Sequence, residues 1–334
     1  MRMISKCSAA SPRRCRTAVA MISLVPMTVA SSSERERVPV AGIAISHPRR
    51  VIYPDLGLTK LDVARYCDAV VERMLPHVAG RPLTPLRCAG AIDPAADKGG
   101  CVMLRHGKAW GPAAIRRVQI RELRKTGQYL VADSRAALVG LAQMGVVEIH
   151  TWNSRAETPY RHDRVVVDLD PGPEIPWKDV IGAAQLVRQA LADVRLRSWV
   201  KTTGGKGLHV VAPIEPADVD ACLAFARDLA DALVRHAPAQ FTTANAKVGR
   251  ERKILVDVLR NNRTNTSVAA YSLRAREGAP VSFPIAWDEL GPRLRPAAFT
   301  LATVPDLVRR QSDPWSDYWA AEQRLPFTKR RRAR

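Results

Sequence analysis

The stretch RVVVDLDPGP (residues 164–173) runs three valines into Asp168, Leu169 and Asp170 and then stops at Pro-Gly-Pro. β-Branched residues in series favour a strand buried on both faces, and the prolines end it. Residues i and i+2 of a strand point to one face, roughly 6–7 Å apart. Asp168 and Asp170 therefore project together from the strand's end. Two carboxylates that close repel unless a cation stands between them or one takes up a proton. Hard divalent ions want oxygen ligands and commonly arrive with phosphates, so the pair reads as a metal site. The plainer alternative is a pair of turn-capping aspartates.

The surrounding pattern says what kind of sheet carries them. Downstream lie an amphipathic helix over about 177–194 and two strands, RSWVKTT and LHVVAPI, around the turn GGKG. The two strands form a hairpin. A helix over 218–236 and the strand KILVDVL follow. Upstream, residues 40–54 carry β-branched residues and a turn. Residues 59–78 show helical spacing with Thr59 as N-cap, 81–88 a short strand, 133–145 a helix closed by Gly145, and 146–152 a strand. The mixed order predicts an α/β (α+β) domain with a largely antiparallel central sheet flanked by helices.

Three further groups join the aspartates. Asp257 is a lone carboxylate in an apolar strand, and a buried charge needs a partner. A neighbouring strand could bring it to Asp168 and Asp170, giving a three-carboxylate site for two metals; an ion pair with Lys253 or Arg260 is the alternative. In TTGGKGLHV (202–210), Gly204, Gly205 and Gly207 let backbone N–H groups approach an anion. Thr203 offers a hydroxyl, Lys206 a point charge and His209 a donor. The Walker A spacing is absent. Arg274 and Arg276 alternate, so on a strand both face one way and could fork onto phosphates.

Bulk properties agree with a polyanionic partner. Lys and Arg outnumber Asp and Glu by 52 to 32 over 334 residues, a net charge of +20, while 46% of residues are hydrophobic. The tail KRRRAR adds five positive charges and reads as solvated. Six scattered cysteines without C-x-x-C spacing fit a reducing compartment. Cys88, Cys101 and His106 suggest zinc, but a fourth ligand is not evident. The apolar run at 17–33 looks somewhat like a signal peptide; a start-site extension is the preferred reading. No membrane partner is expected.

In order, VVVDLDPGP, KTTGGKGLHVVAPI, KILVDVLRNNRTNTSVAAYSLRAR and PIAWDEL resemble the polymerase domain of bacterial ligase D, in the archaeo-eukaryotic primase superfamily. The start at 40–66 and SDPWSDYW resemble it too. The resemblance implies one primase-polymerase domain over 38–325, with 1–37 disordered or a start-site extension and 326–334 a basic tail. It implies a cytoplasmic, nucleoid-associated, monomeric nucleotidyltransferase that fills or extends DNA ends in non-homologous end joining. Its substrates would be ribo- or deoxynucleoside triphosphates, with two Mn²⁺ or Mg²⁺ ions as cofactors.

By the same resemblance, Asp168, Asp170 and Asp257 are catalytic metal ligands. His150, Thr203, Gly205, Lys206, His209, Arg260, Arg274 and Arg276 bind the nucleotide. Arg50 and Lys60 grip the 5′-phosphate of a gapped or recessed end. Sealing would fall to a separate ATP-dependent DNA ligase, with a Ku-like end-binding protein as partner. Where relatives often place two adjacent aromatics for stacking on the template base, this chain has Val102 and Met103; Trp110 is a candidate substitute. A primase acting de novo and a non-catalytic DNA-end-binding module are the alternatives.

Overall fold

The computed structural model describes residues 36–107, 110–246 and 248–326. The apolar run at 17–33 and the basic charges of the tail lie outside the described residues.

The valine run forms the central strand β1 (Arg161–Pro171) of a six-stranded sheet. The others are β2 (Trp199–Thr202), β3 (Leu208–Asp218), β4 (Phe241–Thr242), β5 (Ile254–Asp257) and β6 (Pro284–Ile285). Their order is β4-β5-β1-β3-β2-β6, antiparallel except for β4 beside β5. The antiparallel expectation therefore holds.

Period-two alternation assigns the two faces. Val165, Val167 and Leu169 share a core with Ala183, Val187 and Leu191 of helix α1 (Trp177–Asp193) and with Cys222, Phe225 and Ala226 of helix α2 (Val219–His236). Asp218 caps α2 by accepting from the Asp220 and Ala221 amides at 2.9 and 3.3 Å. On the opposite face Val166, Trp199 and Val211 pack against Trp315 and Tyr318. Two and four residues beyond Val166, that second face carries Asp168 and Asp170.

The N-terminal part departs from the expected single helix over 59–78. Thr59 does cap, with a full capping box to Asp62. The helix then stops at Ala69, and a second one, Val71–Val78, starts after Val70, whose φ/ψ of −101°/4° breaks the ladder. Pro76 in the second helix has no N–H to return to the preceding turn. The break lets Val71, Met74 and Val78 turn inward.

The cysteine reading is also corrected. Strand pairing sets Leu86 opposite Met103 and Arg87 opposite Val102. One step further brings Cys88 to Cys101, Cα atoms 4.4 Å apart and joined as a disulfide. His106 turns instead to Glu122, at 3.6 Å, so these three do not share a metal site.

Candidate active site

Four side chains stand directly opposite one another across four strands: Lys201 of β2, His209 of β3, Asp168 of β1 and Asp257 of β5. Asp168, Lys201 and His209 each stand two residues from Val166, Trp199 or Val211, so they share that second face, and the register aligns them with Asp257. Asp168 is 3.4 Å from His209 Nε2 and 3.1 Å from Arg260 Nε. Arg260, in the 3₁₀ turn Leu259–Asn261, also reaches Asp257 at 3.2 Å. The Leu259 amide donates to Asp257 Oδ1 at 2.8 Å. Asp170, on the solvent side, pairs with Arg250 at 2.8 Å.

The electrostatics follow from this crowding. Burial alone would raise the Asp168 carboxyl, but His209 and Arg260 outweigh it and hold Asp168 below its ordinary range. Asp257 is raised by burial and by the charges of Asp168 and Asp170, against Arg260. Burial, then Lys201, lowers His209 to about 4, so its ring is neutral at physiological pH. Asp257 and Asp168 thus behave as crowded carboxylates sharing one guanidinium.

A second network closes the site from the other side. His150 leaves a short strand, His150–Thr151, that pairs with Ser267–Val268. Its Nε2 is 2.7 Å from Glu148, which also pairs with Arg274 at 3.1 Å and accepts from the Ala275 amide at 2.8 Å. Burial opposes ionisation of Glu148, yet His150 and Arg274 bring it down to about 2. Arg274 and Arg276 are not on a strand as expected. They lie in the irregular segment after the isolated Leu273–Val281 bridge, where Arg274 N bonds Pro280 O at 2.8 Å. Alternation is therefore not what aims them; Glu148 and the Thr203 carbonyl, to which Arg274 donates, hold the first of the pair.

The glycine turn joins β2 to β3. Gly204 has φ +67°, and a Cβ on Gly207 would stand 2.4 Å from the Leu169 carbonyl oxygen. A Cβ on Gly205 would stand 2.7 Å from the Arg276 guanidinium. Thr203 Oγ1 donates to Gly207 O at 3.2 Å. Together these parts enclose a cleft of about 220 Å³ lined by His150, Asp168, Asp170, Thr203, His209, Asp257, Arg260, Arg274 and Arg276, with Gly207 and Val268. Gly205 and Lys206 do not line it; Lys206 is exposed on the turn. Among the described residues no three acidic, imidazole or thiol side chains stand close enough to enclose an ion as they are placed. Arg260 bridges Asp168 and Asp257, and Arg250 holds Asp170.

Away from the cleft, Lys60 is buried and donates to Ser46 O at 3.0 Å and Gln143 Oε1 at 2.9 Å. Burial, then the charges of Arg50 and Arg87, lowers it to about 8. Arg50 donates to Ala89 O at 3.1 Å and Arg87 to Met144 O at 2.9 Å. Among the described residues none of the three cations pairs with a carboxylate. Arg87 also lies 5.0 Å over the ring of Trp110. Val102 is 62% exposed, an open apolar surface in the same strand pair.

Residues 59–315 match the family described as LigD, primase-polymerase domain. The chain belongs to this family. It is 36% identical over 306 residues to the multifunctional non-homologous end joining protein LigD of Pseudomonas aeruginosa, covering 90% of this chain and 36% of that protein. It is 33% identical to the Mycobacterium bovis LigD, over 80% of this chain and 37% of that protein. The chain thus spans about a third of these relatives. A solved polymerase domain of Mycobacterium tuberculosis ligase D, in complex with DNA, superposes with TM-score 0.77 at 30% identity, over 84% of this chain and 99% of that one.

Three residues of this LigD polymerase-domain chain went unseen in the sequence. Glu148 shares the strand face of His150 two positions on, a signal that was present. Lys201 lies one residue before the threonines and needs the register to reach His209. Arg250 sits in a polar connection, with no local signal to pair it with Asp170.

Proposed function

We propose that this chain is a metal-dependent nucleotidyltransferase that extends 3′ ends of DNA at breaks, filling gaps for end joining with ribo- or deoxynucleotides. The carrying observation is the register that sets Asp257, Asp168 and His209 side by side at a cleft with arginines on its far wall. The donor set suits hard cations: Asp168, Asp170 and Asp257 offer only oxygens, and Asp257 is raised first by burial and then by the charges of Asp168 and Asp170. Bound there, Mn²⁺ or Mg²⁺ would supply Lewis acidity to the primer 3′-hydroxyl and to the phosphates.

The chain's own groups account for the rest. Arg274, Arg276 and the Thr203 hydroxyl face the place for a triphosphate, and neutral His209 can donate a hydrogen bond to it. The 3′-oxygen bonds to the α-phosphorus as the bond to the leaving pyrophosphate breaks. Asp257, directly beside Asp168 in the row, would help remove the hydroxyl proton. Arg50 and Lys60, with Arg87 beside them, form the cationic seat for a downstream 5′-phosphate. The partners proposed with this reading are a DNA end, an ATP-dependent ligase and a Ku-like protein, in the cytoplasm; among the described residues no helix is long and apolar enough to cross a membrane.

The test is primer extension on a recessed end with a downstream 5′-phosphate, with Mn²⁺ or Mg²⁺ and either sugar. Templated addition lost in Asp168→Ala is expected. Equal addition by Asp168→Ala would overturn the assignment.

A further inference from the structure

At the end of β2 away from Thr203 lies a separate cavity of about 470 Å³ that shares no residue with the cleft. Three arginines line it, Arg188, Arg195 and Arg197, against one carboxylate, Asp317. Asp317 is already committed: it pairs with Arg197 and accepts from Trp199 Nε1 at 2.8 Å. Among the described residues, Arg188 and Arg195 pair with no carboxylate. Two flat stacks shape the walls. The Arg188 guanidinium lies 4.9 Å over the Trp287 ring, and that of Arg197 lies 4.9 Å over Trp199. Trp287 is pinned by donating to Ser198 O at 2.6 Å. The Ser198 hydroxyl is shielded from solvent and has no hydrogen-bond partner. Arg195 is held in the left-handed region, φ +63°, a conformation uncommon outside glycine and asparagine.

Uncompensated arginines call for an anion, and planar stacks call for a planar ring. Bases stack on aromatic rings and on arginine guanidinium planes. We propose that this pocket is a second site for a nucleotide unit, one base with its phosphate. The phosphate lies on Arg188 and Arg195, and the base on an arginine–tryptophan stack. An acidic protein segment would satisfy the arginines but leave the stacked planes without a complement. The end of α1 faces the same region, and its dipole disfavours an anion there. The amides of Val194, Arg195 and Leu196 occupy the Leu191 and Ala192 carbonyls, which blunts that effect. The inference does not rest on the polymerase reading.

Two probes separate the possible sources: AMP for a free nucleotide and a short oligothymidylate without 5′-phosphate for a strand. The variant pairs Arg188→Glu with Arg195→Asn, both exposed positions outside the cleft; asparagine tolerates the left-handed backbone. The variant is expected to bind oligothymidylate about tenfold more weakly, with a salt slope reduced by about 0.7 for each phosphate no longer neutralised. Extension of a recessed duplex at saturating DNA should be unchanged, which separates this site from the cleft. A calorimetric stoichiometry for AMP one site lower in the variant identifies free nucleotide as a ligand. Weakening confined to the oligomer identifies a strand. In parallel, oligothymidylate carrying 5-iodouracil is photocrosslinked to the unaltered chain and the adduct mapped by mass spectrometry. Adducts at Trp199 or Trp287 support the site even where the variant does not fold. Unchanged affinity for both probes, or adducts only elsewhere, overturns it.

Discussion

Glu148 is the residue on which the nucleotide wall depends. It is buried, pairs with His150 and Arg274, and takes the Ala275 amide. Its carboxyl is lowered from an ordinary 4.5 to about 2. A lowered carboxyl contributes stability above its unfolded value and loses it as pH falls through the folded value. The contribution is therefore complete above about pH 4.5 and lost towards pH 2, and is on the order of 3 kcal/mol. Glu148→Gln should lower stability at neutral pH and flatten the acid limb. Urea unfolding of both proteins across that window checks it, and parallel curves would refute it. Lys60 has the opposite sense. Lowered to about 8, it destabilises the fold while charged, and that cost is relieved as pH rises through this value. Its attraction for a phosphate fades over the same range. The ratio of affinities for 5′-phosphorylated and 5′-hydroxyl ends should accordingly shrink above about pH 8, as measured by fluorescence anisotropy, and Lys60→Met should abolish the shrinkage.

Among the elements, the turn between β2 and β3 sets the site most strictly. A Cβ at Gly207 would meet the Leu169 carbonyl oxygen, a backbone atom that cannot rotate away. Gly207→Ala should destabilise the chain by about 1–3 kcal/mol and disturb the β1–β3 pairing that places His209 beside Asp168. Lys206→Ala, at an exposed position of the same turn, should stay within about 0.5 kcal/mol of the parent. Thermal melts of the two variants decide this, since equal melting temperatures would mean the turn adapts. The hairpin, the two long helices and the β5 strand were legible from period and turn chemistry. The break at Val70 was not, because no glycine stands there, and Pro76, inside the second helix, lies six residues beyond it. Arg274 and Arg276 line the cleft, but not on the strand that their alternation suggests; tertiary bonds to Glu148 and Thr203 hold Arg274.

For the whole molecule, charge is distributed unevenly. The last eight residues, 327–334, contribute five positive charges and residues 1–35 a further five net, half of the +20. Flanks of this charge are expected to add sequence-independent attraction for DNA. Ending the chain after Phe327 should weaken DNA binding and reduce the salt slope by about 0.9 for each phosphate that the tail had neutralised, while extension at saturating DNA persists. Anisotropy titrations over a range of KCl concentrations check this, and an unchanged slope would mean the tail does not touch DNA. The sequence by itself determined the mixed sheet and singled out Asp168, Asp170, Asp257 and His209 by local pattern: a charge within an apolar strand, or glycines in a turn; His150 and the nucleotide role of Arg260 came only with the family resemblance. Only the tertiary structure decided that Asp257, Asp168, His209 and Lys201 form one row, that Cys88 meets Cys101, and that Glu148 anchors the arginine wall. Those facts depend on strand order and register between segments far apart in the chain, which no local periodicity encodes.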